Sequence, residues 1–171
     1  MKNIMFAILC VALVASCAIL PSCGKKTEET AAAPKISVGF SQIGSESDWR
    51  AANTRSIKDE AAKRGIDLRF ADAQQKQENQ IKALRSFIDQ KVDLIAFSPV
   101  VETGWQTVLE EIKTAGIPVI LTDRGVDVND PSLFVTFIGS DFTEEGRRAA
   151  KWFIENTKGD LNVFELRGTP G

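Results

Sequence analysis

The chain has 171 residues, 43% hydrophobic and 26% charged, with a formal net charge of −2. This is the balance of one soluble domain with a substantial core, and its interspersed charges exclude a basic nucleic-acid surface. There is no histidine, and the three cysteines, Cys10, Cys17 and Cys23, all lie in the first 23 residues. The commonest general base and metal ligand is therefore missing, which argues against an enzyme. The rest of the chain has no thiol for a disulfide or a metal. No cofactor and no metal are expected.

The N-terminus reads as an export signal. Lys2 precedes an apolar run from Ile4 to Leu20, and no acid appears before Glu28. A short basic region, an apolar core and small residues are the layout of a secretory signal; a run this short is at the limit for spanning a bilayer. LPSC (20–23) and VASC (14–17) both resemble the bacterial lipobox. VASC fits residue for residue. LPSC fits the layout, because the apolar run ends just before it and a polar stretch follows. Cys23 is the preferred lipidation site, with Cys17 the alternative. The expected organisation is a lipoprotein signal peptide at 1–22, a flexible tether at 23–34 and a folded domain at 35–171. Two acyl chains on such a tether hold a soluble domain at a membrane.

From Lys35 the pattern alternates. KISVGFSQ reads as a strand. DWRAANTRSIKDEAAKRG reads as a helix capped by Ser47 or Asp48 and stopped by Gly65. IDLRFAD is a second strand. QENQIKALRSFIDQK is a helix with Ile81, Leu84, Phe87 and Ile88 on one face. VDLIAFSP is a third strand. GWQTVLEEIKTAG is a helix with Trp105, Val108, Leu109 and Ile112 inward and Gly116 as its cap. IPVILTD and SLFVTFIGSD give two more strands. FTEEGRRAAKWFIENTKG is a last helix, whose Trp152 is expected in the core as Trp105 is. LNVFELRG closes as a strand. Alternation of this kind predicts an α/β fold, a doubly wound parallel sheet with helices on both faces.

In such sheets ligands bind outside the carboxyl ends of the strands. The segments to weigh are therefore GSESDWR, AQQKQENQ, SPVVETGW and DRGVD. None is a phosphate-binding glycine loop. The first and third strands end in Ser41-Gln42 and Ser98-Pro99, so the acids of a phosphorelay receiver are absent. What the ends do offer is planar polar groups and an indole: Glu46, Trp49 and Arg50 after one strand, Asp123 and Arg124 after another. Carboxylates and guanidinium groups match paired sugar hydroxyls, and an indole matches the apolar face of a sugar ring. Each residue also has a plainer reading. Trp49 packs a helix start, Asp123 caps a turn with Gly125, and Glu46 and Arg50 are solvated ions. Their joint placement at two strand ends favours a site. AQQKQENQ reads as a polar loop and helix start.

These same segments carry a resemblance. KISVGFSQIGSESDWR, ADAQQKQENQIKALRSFIDQKVDLIAFSPVVETGW and IPVILTDRGVDV are similar to the periplasmic sugar-binding proteins of bacterial ABC importers. The branch is that related to ribose-binding proteins and, within it, the galactofuranose-binding type. The resemblance covers residues 35 to 171. It implies the first lobe of a periplasmic binding protein-like fold, and a monomer that takes a monosaccharide and delivers it to an inner-membrane permease. It also implies that Glu46, Ser47, Asp48, Trp49 and Arg50 form one ligand segment and Asp123 and Arg124 the other. The galactofuranose type has glycine where this chain has Asp48. That carboxylate would bind a further hydroxyl, cap the helix or change which sugar fits. The family has two lobes that close on the sugar, and this chain corresponds to most of the first. One lobe alone is expected to bind weakly. The alternatives are a sugar receptor for a chemoreceptor or sensor kinase, and a non-functional truncated fragment. A sugar-responsive repressor core shares the fold but begins with a DNA-binding helix pair. A glycoside hydrolase would need Glu46 or Asp48 to work with Asp123 across the scissile bond.

Overall fold

The computed structural model describes residues 35–166. The expected signal peptide and tether, with both candidate lipidation cysteines, lie outside the described residues. In chain order come β1 (Ser37–Gln42), α1 (Asp48–Arg64), β2 (Asp67–Asp72), α2 (Gln77–Asp89) and β3 (Leu94–Phe97). They are followed by α3 (Gln106–Thr114), β4 (Val119–Asp123), a 3-10 turn (Pro131–Leu133), β5 (Thr136–Gly139) and α4 (Phe142–Asn156). Every strand pair is parallel, and the order across the sheet is β2-β1-β3-β4-β5. This is the doubly wound α/β class that the alternation predicts. The chain steps outward from β1 in one direction and from β3 in the other, so the crevice lies between β1 and β3.

Side-chain parity shows that helices lie on both faces, because successive strand residues point to opposite sides. A Cβ on Gly39 would stand 2.5 Å from Cγ of Phe87, so α2 lies directly against that face. Gln42, of opposite parity, bonds Asn53 on α1. The main core fills the first face. Leu84 and Phe87 from α2, Trp105, Val108, Leu109 and Ile112 at α3, and Ile95, Phe97 and Leu121 from the strands are all buried. At about 1.5–3 kcal/mol for each large apolar side chain, this cluster is the main source of stability. The Trp105 indole N–H is satisfied by the Val101 carbonyl at 2.7 Å.

Helix ends follow their sequence signals. Ser47, not Asp48, is the cap of α1: its hydroxyl accepts the Arg50 backbone N–H at 3.2 Å. Gly65 ends that helix in the left-handed region, φ 68°, where glycine bears no Cβ penalty.

Two expectations are corrected at the C-terminal end. Residues 161–166 form no strand and are exposed. The alternation of LNVFEL is present, but a strand exists only as part of a ladder, and the sheet of the described residues ends at β5. Trp152 is 57% exposed rather than in the core. Helix α4 has the apolar spacing of a packed helix, yet none of its residues is buried. Periodicity shows which residues share a face and says nothing of what lies opposite.

Two predictions follow from the packing. Gly39→Ala drives a methyl into the Phe87 ring and lowers stability by about 1–3 kcal/mol, measured by urea unfolding. Asp130 accepts the Ser132 hydroxyl and backbone N–H and the Lys113 ammonium, which hold its carboxyl at about 2. A depressed folded-state value stabilises above the ordinary carboxylate range and is lost on acidification. The melting temperature should therefore fall between about pH 4 and pH 2, and Asp130→Asn should flatten that fall.

Candidate ligand-binding site

The loop after β1 turns into α1 at Ser47, and the first helical turn then presents three successive residues in different directions. Asp48 and Trp49 face outward, while Arg50 turns in and is only 4% exposed. Its guanidinium meets acceptors from three parts of the chain. Nε donates to Glu46 Oε1 at 3.3 Å, Nη1 to Gln42 Oε1 at 3.3 Å, and Nη2 to Asp123 Oδ2 at 2.9 Å. Two of these are ion pairs. They use three of the five guanidinium N–H groups and leave one on each Nη. Arg50 is therefore no solvated surface ion.

Trp49 lies on this cation, 4.7 Å from the guanidinium carbon to the ring centroid. One indole face is taken by the arginine, and the residue remains 55% exposed. It does not pack the helix start into the sheet. A cation beneath the ring and solvent above it leave a rigid apolar platform at the cleft.

Asp123 closes β4 with φ 66°, an uncommon backbone for a residue other than glycine but one that aspartate tolerates. Arg124 N–H bonds the Thr122 carbonyl at 2.7 Å, tightening the turn. The same carboxylate oxygen that pairs with Arg50 stands 3.9 Å from Arg124 Nε, and Arg124 Nη1 donates to the Val100 carbonyl at 3.3 Å. The turn thus serves the ion pair rather than a cap with Gly125. Glu46, Arg50, Asp123 and Arg124 alternate in sign and sum to zero. A neutral, donor-rich and acceptor-rich surface suits an uncharged polyol better than an ion.

Of the seven residues expected, the structure joins Glu46, Trp49, Arg50, Asp123 and Arg124 in one cluster. Ser47 acts as the helix cap. Asp48 stands exposed in the first turn, where the helix dipole favours a carboxylate. Two residues outside that set shape the site. Gln42 is fully buried beneath Arg50. Gln80 fills the crevice at the β1–β3 switch: its amide donates to the Ser98 carbonyl at 2.8 Å and accepts the Val100 N–H at 2.9 Å. AQQKQENQ is otherwise the supporting loop it reads as. Ser45 bonds Asp72 at 2.8 Å, and Gln75 N–H bonds the Ile43 carbonyl at 2.7 Å, tying the loops after β1 and β2 together. A groove of about 650 Å³ opens beside Trp49 and Asp123 over Phe40, Ala96 and Ile120. Among the described residues, no cluster of acidic or sulfur ligands could hold a metal.

Residues 38–171 match the profile of the periplasmic binding protein domain. The chain belongs to the periplasmic binding protein family. The galactofuranose-binding protein YtfQ of Escherichia coli (strain K12) is 55% identical over 142 residues, which cover 82% of this chain and 45% of that protein. Among solved structures, the binding component of the arabinose ABC transporter from Shewanella sp. ANA-3, bound to α- and β-L-arabinofuranose, is 61% identical. It superposes at a TM-score of 0.66 over 70% of this chain and 39% of its own. A Mycobacterium smegmatis protein in complex with β-D-fucofuranose is 59% identical, also at 0.66, over 71% and 41%. This chain thus spans less than half the length of each. The Escherichia coli and Shewanella relatives are binding proteins, not enzymes, and membership of the family implies export to the periplasm.

Arg50 is a buried cation whose charge is balanced in part by Asp123. Asp123→Ala should cost about 1.5–3 kcal/mol in urea unfolding, and Asp123→Asn less, because the amide still accepts the hydrogen bond.

Proposed function

We propose that this chain is the sugar-binding part of a lipid-anchored solute receptor, which delivers a monosaccharide to an ABC permease in the inner membrane. The observation that carries the reading is the neutral Glu46–Arg50–Asp123–Arg124 cluster beneath an exposed indole at the carboxyl ends of β1 and β4. Trp49 takes the C–H face of the ring. The unused Arg50 N–H groups and the carboxylates of Glu46 and Asp123 take hydroxyls, with Arg124, Ser47 and Asp48 at the rim. Lipidation at Cys23, or at Cys17, holds the receptor at the membrane through the 23–34 tether.

The ligand class is a furanose. One similar protein is named for galactofuranose, and two similar structures hold arabinofuranose or fucofuranose; the five-membered ring is common to all three. Asp48 tunes which substituents are accepted. A receptor for the furanose form selects a minor species of a free sugar in water, so its apparent affinity is reduced by that fraction.

The test is calorimetry of the complete gene product with L-arabinose, D-galactose and D-fucose. Binding of at least one is expected, with Trp49→Ala weakening it by about tenfold or more. Absence of binding to all three, or a Trp49→Ala variant that binds unchanged, overturns the proposal.

A further inference from the structure

Gln42 ends β1 with no exposed surface, and its amide is hydrogen-bonded on both sides. Oε1 accepts the Ile43 backbone N–H at 3.0 Å and Arg50 Nη1 at 3.3 Å. Nε2 donates to Asn53 Oδ1 at 2.8 Å and to Thr54 Oγ1 at 3.2 Å. The direction of the amide is fixed by its partners. A backbone N–H and a guanidinium can only donate, so the oxygen must face them and the nitrogen must face α1. Arg50, Asn53 and Thr54 are spaced by three and four residues, which places them on one helical face. One neutral side chain therefore ties the end of β1 to the first two turns of α1 and to the cation.

The three acceptors around Arg50 differ in rigidity. The side chains of Glu46 and Asp123 are 30% and 23% exposed and have room to move. Gln42 has none. Three anchors on three nitrogens fix the plane of a guanidinium, whereas two leave it free to turn about the line joining them. We infer that Gln42 is the positioning residue of the site. It sets the plane of Arg50, and with it the direction of the remaining Nη hydrogens and the seat of the Trp49 ring. An apolar residue does not do this. The site needs a buried acceptor toward the cation that is itself held by side chains of the helix.

The test uses Gln42→Met and Gln42→Glu in the complete gene product. Methionine keeps the volume and removes the polar atoms. Glutamate keeps the acceptor toward Arg50, and Asn53 and Thr54 can reorient to donate to it. The first readout is the Arg50 Nε–H signal in ¹⁵N NMR, assigned by its disappearance in Arg50→Lys, together with its exchange with water. In Gln42→Met exchange should quicken by about tenfold or more, while in Gln42→Glu the signal should stay protected. The second readout is sugar affinity, which rests on the sugar-binding reading; Gln42→Met should weaken it by about tenfold or more.

A Gln42→Met protein with an unchanged Arg50 signal overturns the assignment. So does loss of protection in Gln42→Glu, whether or not the methionine variant folds, because a packing role would be hurt more by the new charge than by methionine. If the unsubstituted protein binds no sugar, the sugar reading fails and the NMR signal alone decides the role of Gln42.

Discussion

A guanidinium removed from water has to be met on several sides, or the fold does not tolerate it. Arg50 imposes that requirement here, and much of the architecture near the cleft can be traced to it. Glu46 arrives from the loop before the helix, Gln42 from the end of β1 and Asp123 from the end of β4. These groups come together only if β1 and β4 lie in one parallel sheet with β3 between them, and if α1 begins immediately above. The Asp123 backbone takes up a left-handed conformation at that point, so that its carboxylate turns toward the cation. Local strain and a buried charge are tolerated because each supports the other.

The same economy governs the switch point. Parallel strand ends leave backbone donors and acceptors open where the chain diverges in two directions. Gln80 meets them from below at Ser98 and Val100, and Gln42 meets them from the side at Ile43. The two buried amides close the crevice without adding charge. The charged cluster above keeps its balance, and the floor on which a ligand would rest is made rigid before any ligand arrives. Preorganisation of this kind lowers the ordering cost of binding.

The fold was open to sequence reading because its core is periodic. Leu84 with Phe87, and Trp105 with Val108, Leu109 and Ile112, are spaced as helices demand and are buried as expected. Trp152 has the same spacing and is exposed, and LNVFEL has strand alternation without a strand, since both depend on partner surfaces that a local pattern does not contain. The candidate cluster was partly legible. The strand-end rule points to Trp49, Arg50, Asp123 and Arg124, which the structure brings together, although the depth at which Arg50 is buried is hidden in a run of charges. Gln42 carried no signal. A lone glutamine at a strand end looks unremarkable in sequence, and its importance arises from partners 8 to 12 residues away that only the turn into α1 brings near.

The indole of Trp49 rests on a guanidinium that is fixed before any ligand arrives. The decisive measurement is a crystal structure of the complete gene product with a bound furanose. The sugar ring is expected on the open face of Trp49, with a hydroxyl about 3 Å from an Arg50 Nη and the Gln42, Glu46 and Asp123 contacts unchanged. A sugar touching neither residue, or an Arg50 swung away from Gln42 to meet it, would rule this platform out.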